Sequence, residues 1–267
     1  MAPTLRSAAG SDIGRRRQMN QDSAATSPRL IVVADGMGGH AHGEVASSVA
    51  VAAMLDLDAR LRGTDLAETD LLGELAAAIE DAANRLTSMA QENAELRGTG
   101  TTVVSFLIDG ARIGVLHIGD SRAYLLRDGE LVRMTRDHTL VQALVDEGRL
   151  SEEEAAGHPR RSWLIRTLQD GTRAEPDLFL HEGRAGDRYL ICSDGLTAVL
   201  DDTVIRDVLG GEAERAAAVS RLIELANAGG GPDNITCVVA DLVDEPALSA
   251  SEAPLIVGAA AVPPTDA

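Results

Sequence analysis

Aspartates stand at the ends of several apolar segments of this 267-residue sequence. Asp35 follows the apolar run at 30–34, Asp120 follows the segment at 113–118, Asp194 follows the run at 189–192, and Asp233 lies just before the run at 235–242. Carboxylate oxygens are the ligands that hard cations such as Mg²⁺ and Mn²⁺ prefer in proteins. Four converging carboxylates would repel one another without such a cation. The pattern therefore predicts a metal centre at strand ends.

A turn is the alternative interpretation of each of these aspartates taken alone, because Asp-Gly after a strand is also an ordinary turn sequence. The recurrence of the arrangement favours the metal centre. Glycine after the aspartate lets the backbone carbonyl approach an ion closely. Two ions about 4 Å apart can hold a water molecule between them and make it acidic enough to attack phosphorus.

Short apolar runs and turn signals predict the elements that carry these aspartates. Asp109-Gly110 and the residues 127–130 indicate two hairpin turns. Helical spacing predicts helices at 44–62, 66–96, 140–166, 202–209 and 212–228. The connection between the first two is short, so they should pack antiparallel. Strands are expected at 30–34, 101–108, 111–117, 123–126, 131–134, 178–180, 188–192 and 235–242. Hairpin-linked strands interleaved with helix pairs favour antiparallel sheets with helices on their outer faces.

The composition limits the function classes. A formal net charge of −18 repels nucleic-acid phosphates, so we expect no nucleic-acid partner. No apolar run of about 20 residues occurs, so we expect no membrane insertion within these residues, while a membrane anchor beyond residue 267 stays open. Cys192 and Cys237 lie in apolar runs without metal-ligand spacing, which predicts buried thiols and suits a reducing cytoplasm.

Six motifs occur in order along the chain, and the last five of them carry polar or glycine residues next to a predicted strand. They are SDIGRRRQMNQD (11–22), ADGMGGH (34–40), GTGTT (98–102), HIGDSR (117–122), CSDGL (192–196) and GPDN (231–234). In this order the motifs closely resemble the bacterial branch of the metal-dependent type 2C serine/threonine protein phosphatases, also called the PPM family. The resemblance covers residues 5–244, which we expect to form the catalytic domain. Residues 245–267 are rich in Ala, Pro and Ser, which predicts a disordered tail or linker.

The resemblance implies a four-layer αββα sandwich, an α+β fold in which two antiparallel sheets pack face to face with helices outside. It also implies a role for each of seven residues. Asp35 bridges two metal ions and Gly36 offers its carbonyl, while Asp194 and Asp233 complete this dinuclear centre. Asp120, with Asp194, holds a third and weaker ion. Asp22 supports the metal-bound waters, and Arg17 clamps the phosphate, since a guanidinium binds phosphate oxygens bidentately.

By the same resemblance, we expect hydrolysis of phosphoserine and phosphothreonine in proteins by water activated between two Mn²⁺ or Mg²⁺ ions. The expected partners are phosphorylated proteins, among them bacterial serine/threonine kinases, and the expected state is a cytoplasmic monomer. Two rival functions differ from this one. A binding module that has lost catalysis would lack a core aspartate, and a phosphatase dedicated to one phosphoprotein would usually carry a sensor domain.

Three features leave alternatives open. Gln21 stands where many family members have an acidic residue, so we expect weaker metal binding, which a Gln21→Glu variant would test. His40 lies close enough to act on a leaving group, but it is also an ordinary loop histidine, and metal-bound water could supply the proton instead. Residues 145–166 resemble the family's variable flap or form a plain helical connector, and Arg160 and Arg161 within them either meet substrates or are merely solvated.

Overall fold

The computed structural model describes residues 3–38, 42–245 and 253–261. Its helices and strands follow one another in this order: β1 (Thr4–Asp12), β2 (Asp22–Thr26), β3 (Leu30–Met37), α1 (Gly43–Arg60), α2 (Leu71–Glu92), β4 (Gly100–Thr101), β5 (Val103–Asp109), β6 (Arg112–Ile118), β7 (Arg122–Arg127), β8 (Glu130–Arg133), α3 (Leu140–Asp146), α4 (Glu152–Ala156), β9 (Leu168–Gln169), β10 (Asp177–Glu182), β11 (Arg188–Cys192), α5 (Asp194–Thr197), α6 (Asp202–Gly211), α7 (Arg215–Ala228), β12 (Ile235–Val243) and β13 (Leu255–Gly258). Short 3₁₀ turns follow α2 and β13.

Two antiparallel sheets form the centre of the molecule. One sheet has five strands in the order β1-β12-β11-β7-β8, and the other has the order β10-β6-β5-β3-β2-β13, with β4 and β9 attached beside β3. A buried cluster between the sheets joins inward-facing residues of both, such as Phe106 and Tyr189, whose rings meet edge to face at 5.6 Å. This inter-sheet core holds the two sheets in a fixed relation.

Helices cover the outer face of each sheet. The pair α1 and α2 buries its apolar residues against the larger sheet, and α5, α6 and α7 do so against the smaller one. Arg60 pairs with Glu74 at 2.7 Å while Asp56 pairs with Arg85 at 2.7 Å, so α1 and α2 run antiparallel, as predicted. The four-layer αββα sandwich expected from the sequence is confirmed.

Two of the predicted helices differ from the structure. Residues 140–166 were expected to be helical, but α3 ends at Asp146 and α4 spans five residues that begin at a Ser151 capping box. Gly148, with φ +68°, lies between these helices, and Pro159 follows the second. A positive φ and a proline both interrupt a helix. The helix expected at 66–96 begins only at Leu71.

The predicted disordered tail is wrong for part of its length. Residues 255–258 form β13, which pairs antiparallel with β2, and Ala260 donates its N–H to Ser23 Oγ at 3.1 Å. Ile256 and Ala260 pack against the core under α1. The physical reason is that β2 offers an unpaired sheet edge, which a short apolar segment can cover. Residues 246–252 and 262–267 of the tail lie outside the described residues.

Cys192 and Cys237 lie opposite each other on β11 and β12, and both are fully buried, as predicted. Within residues 3–38, 42–245 and 253–261, none of the helices combines the length and the apolar character that crossing a bilayer requires.

Candidate metal centre

Five aspartates converge where strands of both sheets end. Asp22 on β2 lies opposite Asp35 on β3, and directly opposite residues project their side chains to the same face of a sheet. Asp194 begins α5 just after β11, Asp120 follows β6, and Asp233 precedes β12. The pKa of Asp35 lies well above its usual range because burial disfavours the charged form and the surrounding carboxylates repel it. The fold therefore brings together all five aspartates that were predicted for the metal centre.

The neighbouring carboxyl groups show the same effect. Burial raises the pKa of Asp22 to about 7, against the hydrogen bond that it accepts from Ser193 Oγ at 2.7 Å. Burial and the charge of Asp194 raise the pKa of Asp120 to about 8. The pKa of Asp194 is raised by burial and by Asp233. Such shifts mark a place where negative charge is concentrated without enough compensation.

Divalent cations fit this donor set. Among the described residues, Arg17 is the one cation within 4.0 Å of any of the five carboxylates, and it reaches Asp233. Converging carboxylate oxygens of this number suit Mg²⁺ and Mn²⁺, which take hard oxygen ligands and retain water. Bound cations would restore the ionised state of the carboxylates that burial and mutual repulsion disfavour.

Arg17 lies beside the carboxylates, and its role in clamping the phosphate stays a prediction. Its Nη2 donates to Asp233 Oδ2 at 2.6 Å, and the charges of Asp233, Asp194 and Asp35 contribute to a pKa raised above its ordinary value, the Asp233 hydrogen bond being the largest cause. The side chain is 52% exposed. An arginine that is half open to solvent and reaches the metal centre can contact a bound phosphate.

Asn234 fixes the loop that carries Arg17, and sequence reasoning assigned it no role. Its Nδ2 donates to the carbonyls of Ile13 and Met19, at 2.9 and 3.0 Å, and its Oδ1 accepts the Gln21 N–H at 2.9 Å. The residue is nearly buried, so these bonds are shielded from water. Its position next to Asp233 in the GPDN motif was the available signal.

Glycines allow close backbone contacts at the site. A Cβ on Gly195 would lie 1.9 Å from the Asn234 carbonyl oxygen, so α5 and the loop before β12 could not approach as they do. A Cβ on Gly36 would meet the Gly43 carbonyl oxygen at 2.1 Å. Gly36 is thus required by the approach of α1. Its carbonyl as a metal ligand stays a prediction.

Hydroxyl groups form a second set of contacts that the sequence reasoning missed. Ser193 Oγ donates to Asp22 Oδ2 and accepts the Thr236 N–H at 3.0 Å. Thr102 Oγ1 accepts the Asp35 N–H at 3.1 Å and lies 2.7 Å from Ser121 Oγ. Thr102, Ser121 and Ser193 all belong to the quoted motifs, so their proximity to the aspartates in sequence was the signal.

The features left open by the sequence have different outcomes. Gln21 Nε2 donates to Glu44 Oε2 at 3.0 Å, so an acidic side chain lies next to the amide. His40 lies outside the described residues. In the predicted flap, the Arg160 guanidinium stacks over the Trp163 ring at 4.3 Å, a cation–π contact that the sequence reasoning did not anticipate. A role of Arg160 and Arg161 in substrate binding stays a prediction.

Comparison with protein families and curated proteins gives matching results. The family model described as protein phosphatase 2C matches residues 9–228. The serine/threonine protein phosphatase PstP of Mycobacterium tuberculosis is 50% identical over 240 residues, which are 90% of this chain and 45% of that protein. The serine/threonine phosphatase stp of Listeria welshimeri is 34% identical over 238 residues, 86% of this chain and 93% of that protein. The chain thus spans less than half the length of the mycobacterial relative.

Solved structures agree with the fold described above. The crystal structure of the Mycobacterium tuberculosis phosphatase PstP/Ppp superposes with a TM-score of 0.85 at 50% identity, covering 90% of this chain and 99% of that one. The catalytic domain of PstP in complex with two manganese ions gives a TM-score of 0.83 at 48% identity, covering 91% of this chain and all of that one. The matches in sequence and in structure place this chain in the protein phosphatase 2C family.

Proposed function

We propose that this chain is a metal-dependent protein serine/threonine phosphatase that hydrolyses phosphoserine and phosphothreonine with Mn²⁺ or Mg²⁺ as cofactor. The observation that carries the proposal is the convergence of five aspartates at the ends of strands from both sheets, with the pKa of Asp35 raised by burial and by the other four. The family relationship and the two manganese ions of the PstP catalytic domain support the choice of cofactor.

The residues divide into ligands and substrate contacts. Asp35 with the Gly36 carbonyl, Asp194 and Asp233 would hold two ions, and Asp120 with Asp194 would hold a third. When bound, the ions would lower the pKa of a water molecule so that it loses a proton and becomes a hydroxide nucleophile for phosphorus, and they would offset the charge of the phosphoryl oxygens. Side chains that the fold holds in place position the ions better than mobile ones, since the geometry is set before the substrate arrives.

The chain's own groups orient the substrate and the acceptors around it. Arg17 would donate to phosphate oxygens in place of the Asp233 carboxylate, because both are anionic acceptors for the same guanidinium. Asn234 keeps the loop of Arg17 in place. Ser193 donates to Asp22 and so fixes the direction of that carboxyl group, which would accept hydrogen bonds from water near the ions.

Partners and location belong to the same proposal. Phosphorylated proteins, including serine/threonine kinases, are the proposed substrates, on the strength of the family alone. A monomer in the cytoplasm is proposed as well, and the two buried free thiols, Cys192 and Cys237, support a reducing compartment.

Hydrolysis of p-nitrophenyl phosphate and of a phosphothreonine peptide, each with Mn²⁺, Mg²⁺ or EDTA, tests the proposal. We expect turnover with Mn²⁺ or Mg²⁺, none with EDTA, and a loss of at least about 100-fold in Asp194→Ala, because removing a ligand of two ions removes the main source of transition-state stabilisation. Asp207→Ala is the matched control, since Asp207 is exposed on α6 and pairs only with its neighbour Arg206 among the described residues. It should retain full activity.

A folded wild-type protein without turnover under any of these conditions would overturn the proposal and favour a binding module that has lost catalysis. Turnover of p-nitrophenyl phosphate without turnover of several unrelated phosphopeptides would instead indicate a phosphatase dedicated to one phosphoprotein.

A further inference from the structure

The turn between β6 and β7 places Asp120 near Asp194 and Asp35, and its geometry depends on Gly119. Gly119 has φ +108°, and a Cβ on it would lie 2.5 Å from Thr102 Cβ. No ordinary side chain adopts this backbone conformation in that space. Other residues must hold the turn in this shape, because glycine has more backbone freedom than any other residue type.

His138 forms hydrogen bonds with both backbone polar groups of Gly119. The His138 N–H donates to the Gly119 carbonyl at 2.8 Å, and the Gly119 N–H donates to His138 Nδ1 at 3.1 Å. His138 is 2% exposed, so water competes little with either bond. This two-point contact fixes the orientation of the peptide that precedes Asp120.

The partner on the other ring nitrogen fixes the tautomer of His138. Because Nδ1 accepts a hydrogen bond, the proton of the neutral ring must be on Nε2, an assignment made from the partners. Nε2 lies 3.1 Å from Asp177 Oδ2, and the other carboxylate oxygen of Asp177 accepts from Arg166 Nη1 at 2.8 Å. Asp177 and Arg166 therefore keep the ring in the form that can accept the Gly119 N–H.

A metal site is the competing interpretation of the same residues. One ligand atom from each of His117, His138 and Asp177 lies within 4.8 Å of the others, and His117 Nδ1 is buried without a hydrogen-bond partner in the described structure. A metal ligand must present an unprotonated nitrogen. At His138 that nitrogen would be Nε2, and it could bind an ion only if Nδ1 took up the proton and lost the Gly119 bond. The observed bonds favour a hydrogen-bond chain over a metal site.

The same histidine also connects the turn to the end of the flap. The Ile165 N–H donates to the His138 carbonyl at 2.9 Å, and Thr139 and Leu164 form an antiparallel bridge. Arg166, which follows directly, is the residue bonded to Asp177. The end of the flap and the Asp120 turn are thus attached to one residue.

We propose that His138 is a positioning residue that fixes the Gly119-Asp120 turn through its Nδ1 and ties that turn to the end of the flap. It touches neither substrate nor cofactor. The inference rests on the proposed function, since it takes Asp120 as a ligand of the third and weakest ion. Its consequence is that the side-chain acceptor at residue 138 controls the affinity of that ion and leaves the two tighter ions nearly unchanged.

Two substitutions with amide side chains distinguish the roles of the two ring nitrogens of His138. The amide of His138→Asn reaches the position of Nδ1 and can accept from Gly119, whereas the amide of His138→Gln reaches the position of Nε2 and can only contact Asp177. Mn²⁺ binding is followed by titration calorimetry of the EDTA-stripped protein, with melting temperatures to confirm folding. We expect His138→Asn to bind like wild type and His138→Gln to raise the Kd of the weakest Mn²⁺ by about tenfold, the usual effect of losing a contact behind a ligand.

Other results would overturn the inference. Unchanged binding in a folded His138→Gln, or equal weakening in both variants, would show that the Nδ1 acceptor does not position Asp120. In wild type, ¹⁵N-detected NMR of the His138 ring must show Nε2 protonated and Nδ1 unprotonated. Loss of that proton on adding one equivalent of Zn²⁺ would establish the metal site instead.

The proposed function fails separately from this inference. If the wild type binds Mn²⁺ but hydrolyses no phosphopeptide, the proposed activity is wrong, while the comparison of the two variants still decides the role of His138. If it hydrolyses the peptide and the variants bind Mn²⁺ alike, the activity stands and the positioning role is wrong.

Discussion

At the scale of single residues, Arg17 is the group whose role depends most on its exact neighbours. It is one of three consecutive arginines, and it reaches Asp233 at 2.6 Å, while the backbone of Arg15 is held by the Gly231 carbonyl at 2.8 Å. The pair is half exposed, so it contributes little to the free energy of unfolding. Its value lies in placing a guanidinium beside the metal centre.

Arg17→Ala should lower kcat/KM for p-nitrophenyl phosphate by roughly 30-fold, because a charge-assisted hydrogen bond to the substrate contributes about 2 kcal/mol. Steady-state kinetics with saturating Mn²⁺ measure this effect. Arg16→Ala is the matched control, since Arg16 is an exposed neighbour of the same type. Equal losses in both variants would show that general positive charge, and not the contact made by Arg17, is what the substrate requires.

At the scale of elements, β13 is the least expected part of the fold. It covers the edge of β2, the strand that carries Asp22, and Gly258 lies so close that a Cβ on it would be 2.2 Å from the Asp22 carbonyl oxygen. Gly258 has φ +78°. The segment at 255–258, which lies outside the six motifs, therefore contacts the backbone of Asp22, a predicted site residue.

Gly258→Ala should destabilise the protein by more than Gly186→Ala. Both glycines have positive φ, at +78° and +97°, which costs an ordinary residue about 1–2 kcal/mol. A Cβ on Gly186 meets nothing within 4 Å, so its variant measures the backbone cost alone. The contact with Asp22 should add about 1–3 kcal/mol. Urea unfolding gives both values, and equal destabilisation would mean that β13 moves away freely.

At the scale of the whole molecule, the converging carboxylates should make stability depend on pH and on metal. The pKa of Asp22 is raised to about 7 and that of Asp120 to about 8, so the folded protein retains protons that the unfolded chain has already released. A native state that binds more protons than the unfolded state loses stability as pH rises. His117, with a pKa lowered to about 4 mainly by burial, acts in the opposite direction, but only below its unfolded value of about 6.5.

We therefore expect the EDTA-treated protein to lose stability between pH 6.5 and 8, by up to about 1.4 kcal/mol per pH unit for each carboxyl that keeps its proton. Saturating Mn²⁺ should remove or reverse this slope, because it binds the ionised carboxylates of the folded state. Urea unfolding at three pH values measures the slope. The Asp120→Asn variant cannot ionise at residue 120, so its stability should fall less steeply with pH. Stability that rises with pH in EDTA would contradict the expectation.

The flap shows where sequence periodicity fails. Apolar spacing favoured helix throughout 140–166, but the chain forms two short helices and turns there, since Gly148 and Pro159 interrupt them and the end of the segment bonds to His138. Likewise β1 and β2, with sequences TLRSAAGSD and DSAAT, carry few β-branched residues. They are strands because β12 and β3 offer partners, and partners far away in sequence are invisible to local propensity.

The amino-acid sequence by itself determined the positions of the aspartates, of Arg17 and of most buried strands, because strand ends and apolar periods are local properties of the chain. It also determined the family, through six ordered motifs. The tertiary structure decided which side chains meet. Strand register places Asp22 opposite Asp35. Hydrogen bonds connect Asn234 to the Arg17 loop, and His138 to Gly119, which is 19 residues away in sequence. Such contacts follow from how the sheets and loops pack, and no local pattern in the sequence encodes that packing.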